Sequence, residues 1–213
     1  MYDAYTTELF TYIDTVLANP SMVCDEVFKA CQRAREEYER SINDQSYPFY
    51  FDPNPGIKFK KFCTIFKHIE GPLGGQPFEL LPWQVFVFGQ ILGWKKKSDN
   101  KRRFMEAHIE IPRGNGKSFM TSAFALWMLC MDEESSPQVY SVATSAAQAR
   151  VVFNKSKELL LTNPRFAKYL NCEVRAHEIR CTAEVNGALS FGKFLPMSPI
   201  GKRLDGLNIH CAI

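Results

Sequence analysis

HIEIPRGNGKSFMTSAFALWMLCM, residues 108–131, is the stretch that decides the fold. Its first four residues alternate polar and apolar side chains as a short β-strand does, PRGNG is a turn, and the run from Lys117 onward is an apolar helix. Inside it, IPRGNGKS at 111–118 has the make-up of a phosphate-binding loop. Gly114 and Gly116, with Asn115 between them, let backbone N–H groups close around anionic oxygens, and the following helix points its positive end at the same place. Lys117 supplies a cation for the β and γ phosphates of a nucleotide, and the Ser118 hydroxyl is placed to join the shell of Mg²⁺. The usual pattern, GxxxxGK[ST], has a glycine where this chain has Ile111, so the reading rests on the strand before the loop and the helix after it. A helix N-terminus that merely contains GNGKS is the plainer alternative. Arg113 is a second cation in the loop; it reaches the γ-phosphate, senses which nucleotide is bound, or is simply solvated.

Working outward, QVYSVA (138–143) reads as a second strand and SAAQARVVFNKSKELLL (145–161) as a second helix. Strand, helix, strand, helix implies a parallel sheet with right-handed crossovers. Further on, HEIRCTAEV (177–185) and ALSFGKFLP (188–196) flank Asn186-Gly187, the strongest short hairpin signal, and should pair antiparallel. The final NIHCAI (208–213) has the character of a buried strand at its start.

Upstream, residues 1–45 read as helices, with Leu9, Tyr12, Ile13, Val16 and Leu17 on one face and a densely charged face in VFKACQRAREEYERS (27–41). Pro and Gly punctuate 47–82 and leave room for short helices at most, which puts a subdomain boundary around Pro82. A helix returns in WQVFVFGQILGW (83–94), followed by KKKSDNKRR (95–103), a basic loop expected to be exposed. Six of those nine residues are basic and suit non-specific contact with nucleic acid phosphates, although a solvated charged loop is the plainer reading.

Bulk composition narrows the class without choosing a function. With 213 residues, 46% of them hydrophobic, the chain can bury a core. A net charge of +3 permits nucleic-acid contact and does not argue for it. Seven cysteines, at 24, 31, 63, 130, 172, 181 and 211, include no CxxC pair and no Cys/His spacing typical of a metal site. They fit reduced thiols in a cytosol. Neither a signal peptide nor a membrane-spanning apolar run is evident, so a cytoplasmic protein without membrane contact is expected.

Taken together, LPWQ (81–84), the Gly-Trp and basic segment (93–103), IPRGNGKS (111–118) and VATSAAQA (142–149) resemble the large terminase subunit of tailed double-stranded DNA bacteriophages. The match runs from about Cys31 onward and keeps the family's motif order. Loss of the first loop glycine and gain of a basic residue within the loop, seen here as Ile111 and Arg113, are features of that family. The resemblance implies an α/β fold with a P-loop NTPase core of the ASCE type, preceded by a helical N-terminal region over 1–82 and occupying 83–213. It implies an ATP hydrolase using ATP and Mg²⁺, with Lys117, Arg113 and Arg203 in catalysis. Arg203, in GKRLDGL (201–207), would reach into a neighbouring subunit's site, with Lys202 as the competing choice. Trp83 and Gln84 correspond to the element that recognises adenine, Gln84 reading the base edge through its amide.

Implied partners are double-stranded DNA bound without sequence preference, the portal protein, the small terminase subunit and further copies of the chain in a ring. The place of work would be the host cytoplasm, transiently at the portal vertex of the procapsid. In that family an acidic pair follows a strand like LNIHCAI, then a coupling segment and a nuclease domain. Here the sequence ends at Ile213 with no such pair, so this chain by itself is expected to bind nucleotide and hydrolyse it poorly. A helicase-like P-loop ATPase and a non-catalytic nucleotide-binding or interaction fragment are the competing functions.

Overall fold

A computed structural model describes residues 3–198 and 207–213. The fold is α/β, in two compact units: Met1–Ile65 with Pro77–Ile109, and Phe66–Gln76 with Glu110–Ile213. The first unit is mainly helical. Helix α1 (Ala4–Ala18) begins at Asp3, whose carboxylate accepts the Thr6 N–H at 2.9 Å, and its buried face carries Leu9, Phe10, Ile13 and Val16. It packs on α2 (Asp25–Asn43) and on α4 (Pro82–Gly93), with α3 (Asn54–Cys63) against α4. Phe59 of α3 and Phe88 of α4 meet with ring centroids 4.5 Å apart, both fully buried. The Pro/Gly-rich stretch thus yields one ten-residue helix, as its punctuation requires.

Between these helices, β1 (Phe49–Phe51) pairs antiparallel with β2 (Trp94–Lys96). The basic segment is therefore only partly the exposed loop its composition suggests. Residues 97–101 are exposed, but Lys95 lies on β2 with its amine 2.7 Å from Asp52, and Arg103 folds inward onto Glu37. Aromatic neighbours explain the difference: the Arg103 guanidinium lies 4.2 Å from the Phe49 ring centroid and 4.8 Å from that of Phe104.

The second unit is built on a five-stranded mixed sheet in the order β4-β5-β6-β3-β7. Its strands are β3 (Gln138–Val142), β4 (Cys172–Val174), β5 (Ile179–Val185), β6 (Ala188–Met197) and β7 (Cys211–Ala212). β3 runs parallel to both β6 and β7, and β4, β5 and β6 form an antiparallel ribbon that contains the hairpin expected from the sequence, so the parallel sheet expected for the core is part of a mixed one. The hairpin lies where Asn186-Gly187 puts it. Both residues have positive φ, 52° and 77°, the conformation of a type I′ turn, whose twist matches that of the strands it joins.

Helices α5 (Lys117–Cys130) and α6 (Ala146–Leu161) pack on each other and on β3 and β6. Ser145 caps α6 by accepting the Gln148 N–H at 3.2 Å. Small hydroxyls allow the two helices to approach: Ser122 donates to the Val152 carbonyl at 3.0 Å and Ser156 to the Ser122 carbonyl at 3.2 Å. Phe153 and Phe194 meet edge to face beneath them at 5.5 Å, in a core with Val139, Leu126, Leu159 and Ile179. A short α7 (Pro164–Tyr169) follows, its Phe166 against Phe66, which with the Lys155–Glu70 ion pair at 2.8 Å holds residues 66–76 to this unit.

Two strand expectations change. Residues 108–111 form no strand, because a strand exists only through its ladder and none of the described strands lies beside them. NIHCAI does become β7, hydrogen-bonded to β3 through His210, Val142 and Ile213, but it is half-exposed instead of buried, since it has one neighbour and forms an edge. The two compact units divide at 109/110, with residues 66–76 joining the second. Among the described residues, no helix is long and apolar enough to cross a membrane.

Candidate functional site

Residues 112–116 lead directly into α5, with Gly116 as its N-cap. Gly114 and Gly116 adopt φ of 88° and 72°, in the left-handed region. A Cβ at either position would meet no atom within 4 Å, so glycine is required there by backbone conformation and not by crowding. The first turn of α5 has no intrahelical acceptors for its N–H groups, and these project at the loop where an anion is favoured.

The side chains complete that setting. Lys117 folds back over the loop and donates from Nζ to the Ile111 carbonyl at 2.5 Å, so its charge lies across the mouth formed by 111–117. Asn115 donates to the Pro112 carbonyl at 3.4 Å. Arg113 and Lys117 are exposed and Ser118 is half-buried, while the next turn is fixed by Ser122, whose hydroxyl donates to the Ser118 carbonyl at 2.6 Å. Phe119 and Met120 then anchor the helix in the core, with the His68 ring 5.1 Å from that of Phe119. Left-handed glycines, projecting N–H groups and a cation across the mouth fit the phosphate tail of a nucleotide. Ser118 at the start of the helix fits one ligand of a divalent cation.

Trp83 and Gln84 belong to the other compact unit, in the first turn of α4. Trp83 is half-buried. Gln84 is 3% exposed, and its Oε1 accepts the Leu81 N–H at 2.9 Å, so the residue read as a base contact also caps its own helix. Arg203 and Lys202, the candidates for a residue acting on a neighbouring subunit, lie outside the described residues.

One grouping was invisible in the cysteine spacing and corrects the expectation that no metal-type cluster forms. Cys130, Cys172 and Cys181 converge, with their Sγ atoms all within 4.8 Å of one another. No disulfide joins these three cysteines.

The family model described as terminase large subunit, ATPase domain, matches residues 82–213, more than half of the chain. No curated protein matches. Among solved structures, the chain is similar to the crystal structure of the HK97 bacteriophage large terminase, with 22% identity and a TM-score of 0.56. That alignment covers 74% of this chain and 30% of the other, so the chain spans under a third of that protein's length and the likeness is one of fold.

Proposed function

The chain belongs to the terminase large subunit ATPase-domain family, and from that premise we propose that it is the ATP-binding part of a viral motor that drives double-stranded DNA into a procapsid. The observation that carries this reading is the loop at 112–118, with glycines in left-handed conformation at 114 and 116 and Lys117 across its mouth. In this reading the second unit is a P-loop core of the ASCE type.

Bound ATP with Mg²⁺ supplies a phosphoryl group whose transfer to water releases the free energy used for movement. The loop N–H groups and Lys117 hold the phosphate tail in place by charge-assisted hydrogen bonds. The Ser118 hydroxyl contributes one oxygen ligand to the divalent cation. Arg113, exposed on the loop, adds positive charge where the terminal phosphate would lie. Arg203 of a ring neighbour stabilises charge on the transferring group and makes hydrolysis depend on that neighbour. Portal protein and small terminase subunit are the assembly partners. Of the basic segment, Lys97 and Lys101 are exposed and fit a phosphate backbone better than the ion-paired Lys95 and Arg103.

Turnover in the assembled packaging complex containing this chain tests the proposal. ATP hydrolysis should rise on adding duplex DNA, weaken as salt rises, and disappear with Lys117→Ala. Turnover indifferent to DNA would favour a non-motor ATPase or an interaction module.

Gln84 permits a narrower test because its two amide ends do different work. Oε1 caps α4, leaving Nε2 to donate to an adenine ring nitrogen. Gln84→Glu keeps the acceptor and removes the donor, so the preference for ATP over GTP should fall by about tenfold, the worth of one hydrogen bond, and thermal stability should fall with it because a carboxylate is poorly solvated at this buried position. An unchanged preference in competition binding would remove Gln84 from base reading.

A further inference from the structure

We propose that Cys130, Cys172 and Cys181 form a binding site for one thiophilic d¹⁰ cation, of which zinc is the type, at the edge of the sheet in the second unit. Three separate elements bring the thiols together. Cys130 is the last residue of α5, Cys172 opens β4, and Cys181 lies on β5 directly opposite Cys172 in the antiparallel register. The Thr182 N–H bonds to the Asn171 carbonyl at 3.2 Å, which makes 171 and 182 the hydrogen-bonded pair. Cys172 and Cys181 are therefore a pair of the non-hydrogen-bonded kind, in which the strands approach more closely and side chains stand side by side.

The spacing of the sulfurs suits a shared cation. A tetrahedral site with metal–sulfur bonds of about 2.3 Å places its sulfurs about 3.8 Å apart. Cys130 and Cys172 have their sulfurs 3.5 Å apart, and the trio spans no more than 4.8 Å, so rotation of side chains by under an ångström or so closes the set. A disulfide would need a pair of sulfurs at about 2 Å, and would leave the third thiol without a role. Cys181 is buried, and Cys130 and Cys172 are half-buried, so the cluster is partly shielded from solvent. The Leu170 carbonyl accepts from the Cys181 thiol at 3.1 Å, holding that side chain towards the cluster.

Binding forms three metal–thiolate bonds, and each thiol that ligates gives its proton to solvent; a water fills the fourth position. Soft thiolates select zinc, cadmium or copper(I) over magnesium or calcium, so this site is chemically distinct from any divalent-cation site at Ser118. Its place in the fold gives it a consequence. The helix that starts at the phosphate loop ends at Cys130, and a cation there would pin the far end of α5 to the β4–β5 ribbon.

The test uses the reduced 213-residue chain titrated with Cd²⁺, read by thiolate-to-metal charge-transfer absorption. One equivalent should saturate the band. Cys181→Ser and Cys172→Ser should each weaken binding at least 100-fold, while Cys24→Ser, at an exposed position remote in sequence from the cluster, should leave it unchanged. X-ray absorption on the zinc-loaded native chain needs no variant and should give three sulfur neighbours. Absence of a saturable band, binding by the Cys181→Ser and Cys172→Ser proteins as tight as that of the parent, or a zinc shell of oxygen and nitrogen alone would each overturn the proposal.

Discussion

Arg103→Ala should destabilise the helical unit by about 3–5 kcal/mol, the cost of breaking a largely desolvated ion pair from one side. Arg103 donates through Nη1 and Nη2 to the two carboxylate oxygens of Glu37, at 2.7 Å each, and through Nη1 to the Tyr47 hydroxyl at 2.9 Å. Only 17% of the Arg103 side chain and 18% of the Glu37 side chain is exposed, so little water is available to replace the lost guanidinium. Phe49, Trp94 and Phe104 all present rings to the same cation. In a chain of this size such a loss lowers the thermal midpoint by roughly 10 °C. Arg103→Lys should fall between, because an ammonium keeps the charge and loses the two-pronged geometry. Arg103→Met combined with Glu37→Leu should recover part of the loss, since the stranded carboxylate is gone. Denaturant unfolding checks this: an effect of Arg103→Ala no larger than that of Lys101→Ala, an exposed neighbour, would show the pair to be ornamental.

The second large effect concerns binding. Lys117→Ala should weaken ATP binding by between about 10-fold and 150-fold, corresponding to the ~1.5–3 kcal/mol of a hydrogen bond to a charged group. Lys117 is exposed and, among the described residues, its amine bonds to the Ile111 carbonyl alone, so its removal should leave thermal stability within about 0.5 kcal/mol of the parent. Equilibrium titration with a fluorescent ATP analogue, beside a melting curve, separates the two quantities. Equal affinity in parent and variant would place the nucleotide elsewhere, or nowhere.

Both predictions show where local sequence carries information and where it does not. The hairpin at Asn186-Gly187, the Ser145-capped helix and the apolar helix after the loop were legible because each is specified by neighbours within a few residues. Glu37 lies 66 positions from Arg103, so a run of six basic residues reads as solvated when its last member is enclosed by aromatic rings. The same limit hid the cysteine cluster: Cys130 and Cys172 are 42 apart, and no turn signal before Cys181 announces that β4 and β5 will set it opposite Cys172.

Strand 108–111 failed for a related reason. Alternation of His108, Ile109, Glu110 and Ile111 is compatible with a strand, but the ladder depends on a neighbour that four residues cannot specify. At the loop itself the sequence is more informative than at Gln84. Gly114 and Gly116 stand where φ is positive, as a phosphate loop needs. Leu81 lacks the side-chain oxygen of an ordinary N-cap, so the sequence gives no hint that Gln84 reaches back to accept its N–H.

Backbone amide hydrogen exchange with and without Mg·ATP reads whether residues 112–118 hold the phosphates of a nucleotide. Slowed exchange at Gly114, Asn115, Gly116, Lys117 and Ser118, absent with AMP and in Lys117→Ala, is the predicted result. Exchange at these amides unchanged by saturating Mg·ATP would contradict it.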